Sequence, residues 1–161
     1  MEMWKCHTLE QQLPIPDEES QIFWEGCRRQ RLLIQQCNNC RTFRFPPSPL
    51  CRACLGSLTT WQEDPGQGEV VTFCVYHSEI AGPAWQAHLP YTVVVVQLWY
   101  SGVKMLSQLV CYDPQLVRIG LPVRVGFEVV DTGIALPKFF PWPQEAGVSA
   151  IEFASEMKSK A

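Results

Sequence analysis

Residues 37–54 read CNNCRTFRFPPSPLCRAC, in which two Cys-x-x-Cys pairs, Cys37/Cys40 and Cys51/Cys54, are separated by ten residues. Each pair can turn tightly enough to aim two thiolates at one ion, and two such knuckles complete a tetrahedral sulfur set. Four thiolates leave no coordination position for water, so the pattern predicts a structural zinc site and not a Lewis-acid catalyst. The separation is shorter than the roughly 15–20 residues usual for this pattern, and fits a small rubredoxin-like ribbon. Iron also accepts four thiolates, but no redox partner is evident and zinc is the default. A thioredoxin-type motif would have a single pair within a βαβ unit, whereas here there are two pairs with strand-like flanks.

The remaining chemistry is sparse. Cys6, Cys27, Cys74 and Cys111 follow no ligand spacing and read as small buried apolar side chains. His7, His77 and His88 are scattered, the serines lack a nucleophile-elbow context, and there is no glycine-rich phosphate loop. His77 and His88 flank an AGPAW loop and read as surface or turn residues, with a binding edge as the alternative. Asp113 and Asp131 sit where turns need them. No catalytic residue is assigned: the residue chemistry is that of a binding or scaffolding protein, not a self-sufficient enzyme.

One charge imbalance stands out. Between Arg28 and Arg52 lie six arginines (Arg28, Arg29, Arg31, Arg41, Arg44 and Arg52) and no carboxylate, against a net charge of −3 for the whole chain. Part of this offsets the negative charge of a zinc tetrathiolate. The rest could hold a phosphorylated ligand or an acidic partner surface, because the guanidinium fork matches such oxygens.

These residues must be positioned by a fold built mostly from strands. The 161 residues suffice for a small module joined to a compact domain, and 13 prolines and 10 glycines favour turns over long helices. Asp17 to Ser20 supplies an N-cap candidate and first-turn acids for a short amphipathic helix over about residues 17–30, carrying Ile22, Phe23, Trp24 and Cys27. RLLIQQ leads into the first knuckle, and RTFRF leaves it in aromatic–polar alternation. A segment this short cannot bury enough apolar surface to fold alone, and structural zinc supplies roughly 10–16 kcal/mol in comparable peptides. Beyond it, strands are expected at residues 68–78, 91–100, 103–110, 121–130 and 134–140, with Ser101-Gly102 as a hairpin turn. The four valines within YTVVVVQLWY suit a strand buried on both faces. About five antiparallel strands make an OB-type barrel the economical fold, with a small open sandwich as the alternative. The expected layout is a leader and helix to residue 30, a zinc ribbon at 31–60, an OB-fold domain at 61–143, and a weakly helical tail at 144–161.

The leader MEMWKCHTLEQQ mixes charges among its apolar positions, so no secretory signal is expected. The most apolar run is about half the roughly 20 residues that span a bilayer. A cytoplasmic protein is expected, where disulfides are rare and regular cysteine spacing points to metal.

The order of these parts resembles a known family. IFWEGCRRQRLLIQQC, CNNC with FPP and CRAC, then GEVVTFCVYH, LPYTVVVVQL, IGLPVRVGFEVV and LPKFFPW follow the pattern of zinc-ribbon/OB-fold acyl-CoA-associated proteins, from about Pro16 to Trp142. The resemblance implies that Cys37, Cys40, Cys51 and Cys54 are zinc ligands. It implies a non-catalytic partner of a thiolase-fold enzyme, helping to form or cover an acyl-CoA site. The FWEGC-RR-RLLIQQC stretch looks most like small subunits of bacterial steroid side-chain aldolases, which cleave a hydroxyacyl-CoA side chain in a retro-aldol step. Other members pair with acetoacetyl-CoA thiolases or MaoC-type enoyl-CoA hydratases, and these are the alternative partners. Phe23, Trp24, Phe139, Phe140 and Trp142 are candidate partner anchors, since aromatic residues are common interface hot spots. Their alternative role is to cover the barrel ends.

A single-stranded nucleic-acid module is the competing class, with Phe43 and Phe45 stacking bases and Arg41 and Arg44 on the backbone. The barrel half offers only Lys104, Arg118, Arg124 and Lys138, too few for a backbone track, so no nucleic-acid partner is expected.

Overall fold

The computed structural model describes residues 13–78, 89–110, 113–131 and 133–142. Its elements run α1 (Gln21–Arg28), β1 (Leu32–Cys37), β2 (Phe43–Arg44), β3 (Thr59–Asp64), β4 (Gln67–Tyr76), β5 (Tyr91–Leu98), β6 (Lys104–Leu109), β7 (Pro122–Asp131) and β8 (Ile134–Pro141). Strands β2-β1-β3 form a small antiparallel sheet, and β4-β5-β6-β8-β7 close into a barrel. A mainly β fold of one short helix, a ribbon and a five-stranded barrel is thus observed.

The helix is shorter than the charge pattern suggests. Asp17 to Ser20 form a turn before it: the Asp17 carboxylate accepts from the Ser20 amide at 2.8 Å and from its hydroxyl at 2.5 Å. Ser20 is the N-cap but gives the helix no side-chain cap, and no acid lies in the first turn. Those hydrogen bonds hold the Asp17 carboxyl below its ordinary range. Phe23, Gly26 and Cys27 form the buried face. A Cβ on Gly26 would come within 2.8 Å of Leu33 Cγ and 2.9 Å of the Arg31 carbonyl oxygen, so only glycine lets the helix approach β1 this closely.

One core runs through both sheets. Phe23, Cys27, Leu32 and Ile34 from the helix and ribbon join Val70, Val94, Val96, Leu98, Met105, Val123 and Phe139 from the barrel. In β5 the valines alternate, with Val94 and Val96 buried and Val93 and Val95 half-covered. This corrects the expectation of burial on both faces: a barrel strand has one inner face, and neighbouring elements cover the other only in part. The barrel is also not wholly antiparallel. Closure is made by a parallel pairing of β6 with β8 at Leu109 and Phe139, which lets the last strand return beside β6 from its hairpin with β7.

Ribbon and barrel meet through Asp64, the last residue of β3. Its carboxylate is 3% exposed, and it accepts from the Gly66 amide at 2.8 Å and the Ser101 amide at 3.1 Å. No described helix is long and apolar enough to cross a membrane. The expected tail helix at 144–161 and His7, His88, Cys6 and Cys111 lie outside the described residues.

Candidate metal centre

The two knuckles have the same construction. In the first, the Arg41 amide donates to the Cys37 carbonyl; in the second, the Leu55 amide donates to the Cys51 carbonyl. Arg41 and Leu55, each directly after its second cysteine, take the left-handed backbone with φ of 63° and 60°. A side chain there is disfavoured by roughly 1–2 kcal/mol, a cost that a bound ion can offset.

The result is four sulfurs converging on one point. The Sγ atoms of Cys37, Cys40, Cys51 and Cys54 all lie within 4.8 Å of one another, with Cys37–Cys54 at 3.6 Å and Cys40–Cys51 at 3.5 Å. A tetrahedron with Zn–S bonds of about 2.3 Å has S···S edges of about 3.8 Å, so the four residues fit a single ion. Cys37 and Cys51 are buried while Cys40 faces solvent. Thr42, whose hydroxyl lies 3.2 Å from the Cys40 sulfur, is the main cause that brings the Cys40 thiol down to about 6. Backbone amides of Ala53 and Cys54 lower Cys51. Thiolates are the form a metal requires, and the Asn39 side-chain amide adds a contact to Cys54 at 3.6 Å. Among the described residues this is the sole group of three or more His, Cys, Asp or Glu side chains able to hold one ion.

The other cysteines differ from these four and from each other. Cys27 is a core residue whose thiol is pushed up to about 12 by burial. Cys74 is exposed on β4, against the expectation that it would be buried. His77 is exposed, and Asp113 caps a 3-10 turn at 114–116 by accepting from the Gln115 amide at 2.8 Å.

The six arginines divide into two groups. Arg28 and Arg29 both pair with Glu25, which draws that carboxyl down to about 2. Arg31 pairs with Glu63 of β3 at 2.8 Å. Three of the six arginines are therefore paired in space, by two acids that lie outside the carboxylate-free stretch. Arg41, Arg44 and Arg52 line one cavity of about 770 Å³ where the ribbon meets the β5–β6 turn. Lys104 joins them there, a cation the sequence reading left in the barrel with no link to the ribbon. Its contribution required knowing that the β5–β6 hairpin folds back on the knuckles.

The candidate partner anchors also separate. Phe23 and Phe139, 2% and 0% exposed, are core residues and present no surface, because α1 packs against β1 and β8 and both rings enter the shared core. Trp24, Phe140 and Trp142 are half-buried. Trp24 packs edge-on to Phe23, and Trp142 meets Trp99, which is 50% exposed.

This architecture has known counterparts. A family model for the ChsH2 rubredoxin-like zinc ribbon domain matches residues 24–59, and one for the ChsH2 C-terminal OB-fold domain matches residues 61–128. A chain of the solved Ltp2-ChsH2(DUF35) aldolase superimposes with a TM-score of 0.72 at 32% identity, covering 80% of this chain and 98% of that one. The chain belongs to the DUF35 family, of ChsH2 type. A DUF35 protein of Sulfolobus solfataricus, 11% identical with a TM-score of 0.56 over 77% of this chain and 85% of that one, shares the fold. The probable enoyl-CoA hydratase alpha subunit of Thermomonospora curvata is 35% identical over 133 residues, 82% of this chain and 40% of that protein. The 3-oxo-4,17-pregnadiene-20-carboxyl-CoA hydratase alpha subunit of Mycobacterium tuberculosis is 30% identical over 115 residues, 71% of this chain and 35% of that protein. This DUF35 chain thus spans two fifths or less of the length of these two curated relatives.

Proposed function

We propose that this DUF35 chain is a non-catalytic subunit that folds around a structural zinc ion, docks against a thiolase-fold aldolase, and supports retro-aldol cleavage of a steroid side-chain CoA thioester. The observation that carries the reading is the match along 98% of a chain from an Ltp2-ChsH2(DUF35) aldolase, at 32% identity. The metal chemistry agrees: four thiolates close the coordination sphere, so the ion holds the ribbon together and leaves the reaction to the partner. The cavity cations and the half-exposed aromatics Trp24, Phe140 and Trp142 are where this reading seats the CoA ester and the enzyme, in a cytoplasm where disulfides are rare.

A second reading has a specific basis. Two relatives named as CoA hydratase alpha subunits contain a region like this one within a longer chain, so a hydratase is the alternative partner. The test is co-expression of this chain with an Ltp2-type aldolase or with a hydratase subunit pair, followed by gel filtration with light scattering. Co-elution with the aldolase at fixed stoichiometry supports the first reading. Co-elution with the hydratase alone replaces it by the second, and elution as a free chain in both cases rejects both.

A further inference from the structure

A glutamine on β1 holds an arginine in an unusual state. Gln35 is buried, 6% exposed, and its Oε1 accepts from Arg44 Nε at 2.5 Å and from the Ser48 amide at 3.0 Å. The Arg44 guanidinium is thereby fixed through one nitrogen. Its other two, Nη1 and Nη2, are shielded from solvent and have no hydrogen-bond partner. Ser101 Oγ, at the β5–β6 turn, is shielded and unpartnered in the same way. These three are the buried side-chain nitrogen and oxygen atoms left without partners among the described residues, and both residues line the same cavity of about 770 Å³. Its wall adds Arg41, Arg52 and Lys104 and contains no carboxylate.

A folded protein rarely leaves such donors unpaired, because each buried unsatisfied group costs about 1–3 kcal/mol and a charged one more. Three unpartnered donor atoms and four cations around one space are the arrangement expected of an anion site, one in which the shielded Arg44 fork turns to meet its ligand. A zinc tetrathiolate carries a net charge of −2, and Arg41 and Arg52, each next to a ligand cysteine, suffice to offset it. That leaves Arg44, Lys104 and Ser101 without a role in balancing the metal. A carboxylate can pair with the Arg44 fork, but it brings one negative charge and two oxygens. A phosphoryl group has oxygens for the fork, for the serine hydroxyl and for a flanking ammonium at the same time, and its second negative charge answers the surplus of cations.

We propose that this cavity is a binding site for a phosphoryl group, with Arg44 as its bidentate anchor, Ser101 and Lys104 as further donors, and Gln35 as the positioning residue for the anchor. The assignment deepens the acyl-CoA part of the proposed function but uses this chain alone, so it can fail or succeed without the aldolase. Two sources offer the chemistry: the nucleotide end of a CoA ester and free inorganic phosphate.

The experiment is titration calorimetry on the zinc-loaded full chain at constant ionic strength, with inorganic phosphate, coenzyme A, 3′-dephospho-CoA and acetate as probes. Saturable binding of phosphate or coenzyme A, weakened about tenfold or more in Arg44→Gln and unchanged in the surface variant Arg118→Gln, supports the site. Preference for coenzyme A over 3′-dephospho-CoA identifies the coenzyme's monoester as the source, whereas phosphate binding without that preference identifies free phosphate. Gln35→Ala keeps the charge of Arg44 but releases its orientation; it should weaken binding several-fold with zinc content unchanged, an effect that net charge alone does not give. If Arg44→Gln fails to fold, Ser101→Ala and Arg44→Lys carry the same comparison. Absence of saturable phosphate or coenzyme A binding, equal binding of acetate, or binding indifferent to Arg44 and Gln35 overturns the proposal.

Discussion

Replacing Asp64 by alanine should separate the ribbon from the barrel energetically, and its size follows from two hydrogen bonds. The carboxylate accepts from the Gly66 amide at 2.8 Å and the Ser101 amide at 3.1 Å in a site only 3% exposed. Hydrogen bonds to a charged group contribute roughly 1.5–3 kcal/mol each, and alanine would leave the Gly66 amide buried and unpaired and the half-buried Ser101 amide without this partner. Removing a buried charge returns part of that, because its desolvation cost disappears. The net expectation is a destabilisation of about 2–4 kcal/mol. For a chain of this size that is a fall in Tm of roughly 4–16 °C. Asp64→Asn keeps one acceptor oxygen and turns an amide NH₂ toward the second donor, so it should cost about half as much. Guanidinium chloride unfolding at buffered free zinc measures both variants. If Asp64→Ala stays within about 0.5 kcal/mol of the wild type, the value usual for a plain surface change, Asp64 is not the junction between the two units. Wild-type-like stability in alanine with a larger loss in asparagine would likewise contradict the hydrogen-bond account.

Metal analysis of the purified chain should give one zinc per chain, and chelation should collapse the ribbon, since structural zinc is worth roughly 10–16 kcal/mol in comparable sites; near-zero metal with intact thiols and native circular dichroism would contradict this. Gly68→Ala should destabilise by about 1–3 kcal/mol, because its Cβ would lie 2.4 Å from the Gln97 carbonyl oxygen and 2.9 Å from Val96 Cγ1 in the β4–β5 ladder; denaturant unfolding reads the shift. Alkylation of the native zinc-loaded protein near pH 8, followed by mass spectrometry, should label Cys74 and spare Cys27. Cys27 is pushed up to about 12 and stays a neutral, sealed thiol; rapid labelling of Cys27 would show that the helix does not close on the core as described.

Much of the fold was legible because its signals are local. Four cysteines at fixed spacing, alternation in GEVVTFCVYH and LPVRVGFEVV, and a Ser-Gly turn each identify an element within a few residues. What escaped depends on contacts between distant parts of the chain. No strand is expected over β3, TTWQED, whose residues are mostly polar, and pairing with β1 makes it one. In RLLIQQ the two glutamines look alike, yet Gln35 is buried on β1 to hold Arg44 while Gln36 is half-covered. The ion pairs of Arg28, Arg29 and Arg31 use Glu25 and Glu63, outside the window in which the charge imbalance was counted. Phe23 and Phe139 carry the residue type of an interface anchor, and only the packing of helix on strands reveals that both are buried in the shared core. The four-cysteine cluster was legible to the residue, whereas the cavity beside it was legible only as an excess of arginine.

The central claim is that this chain completes an enzyme whose catalytic groups lie on another subunit. The direct measurement is the rate of retro-aldol cleavage of a steroid hydroxyacyl-CoA ester by an Ltp2-type aldolase, produced with and without this chain. Cleavage that requires the chain, and that is lost when Cys51→Ser removes a metal ligand, is the predicted result. Full aldolase activity in its absence would contradict the account.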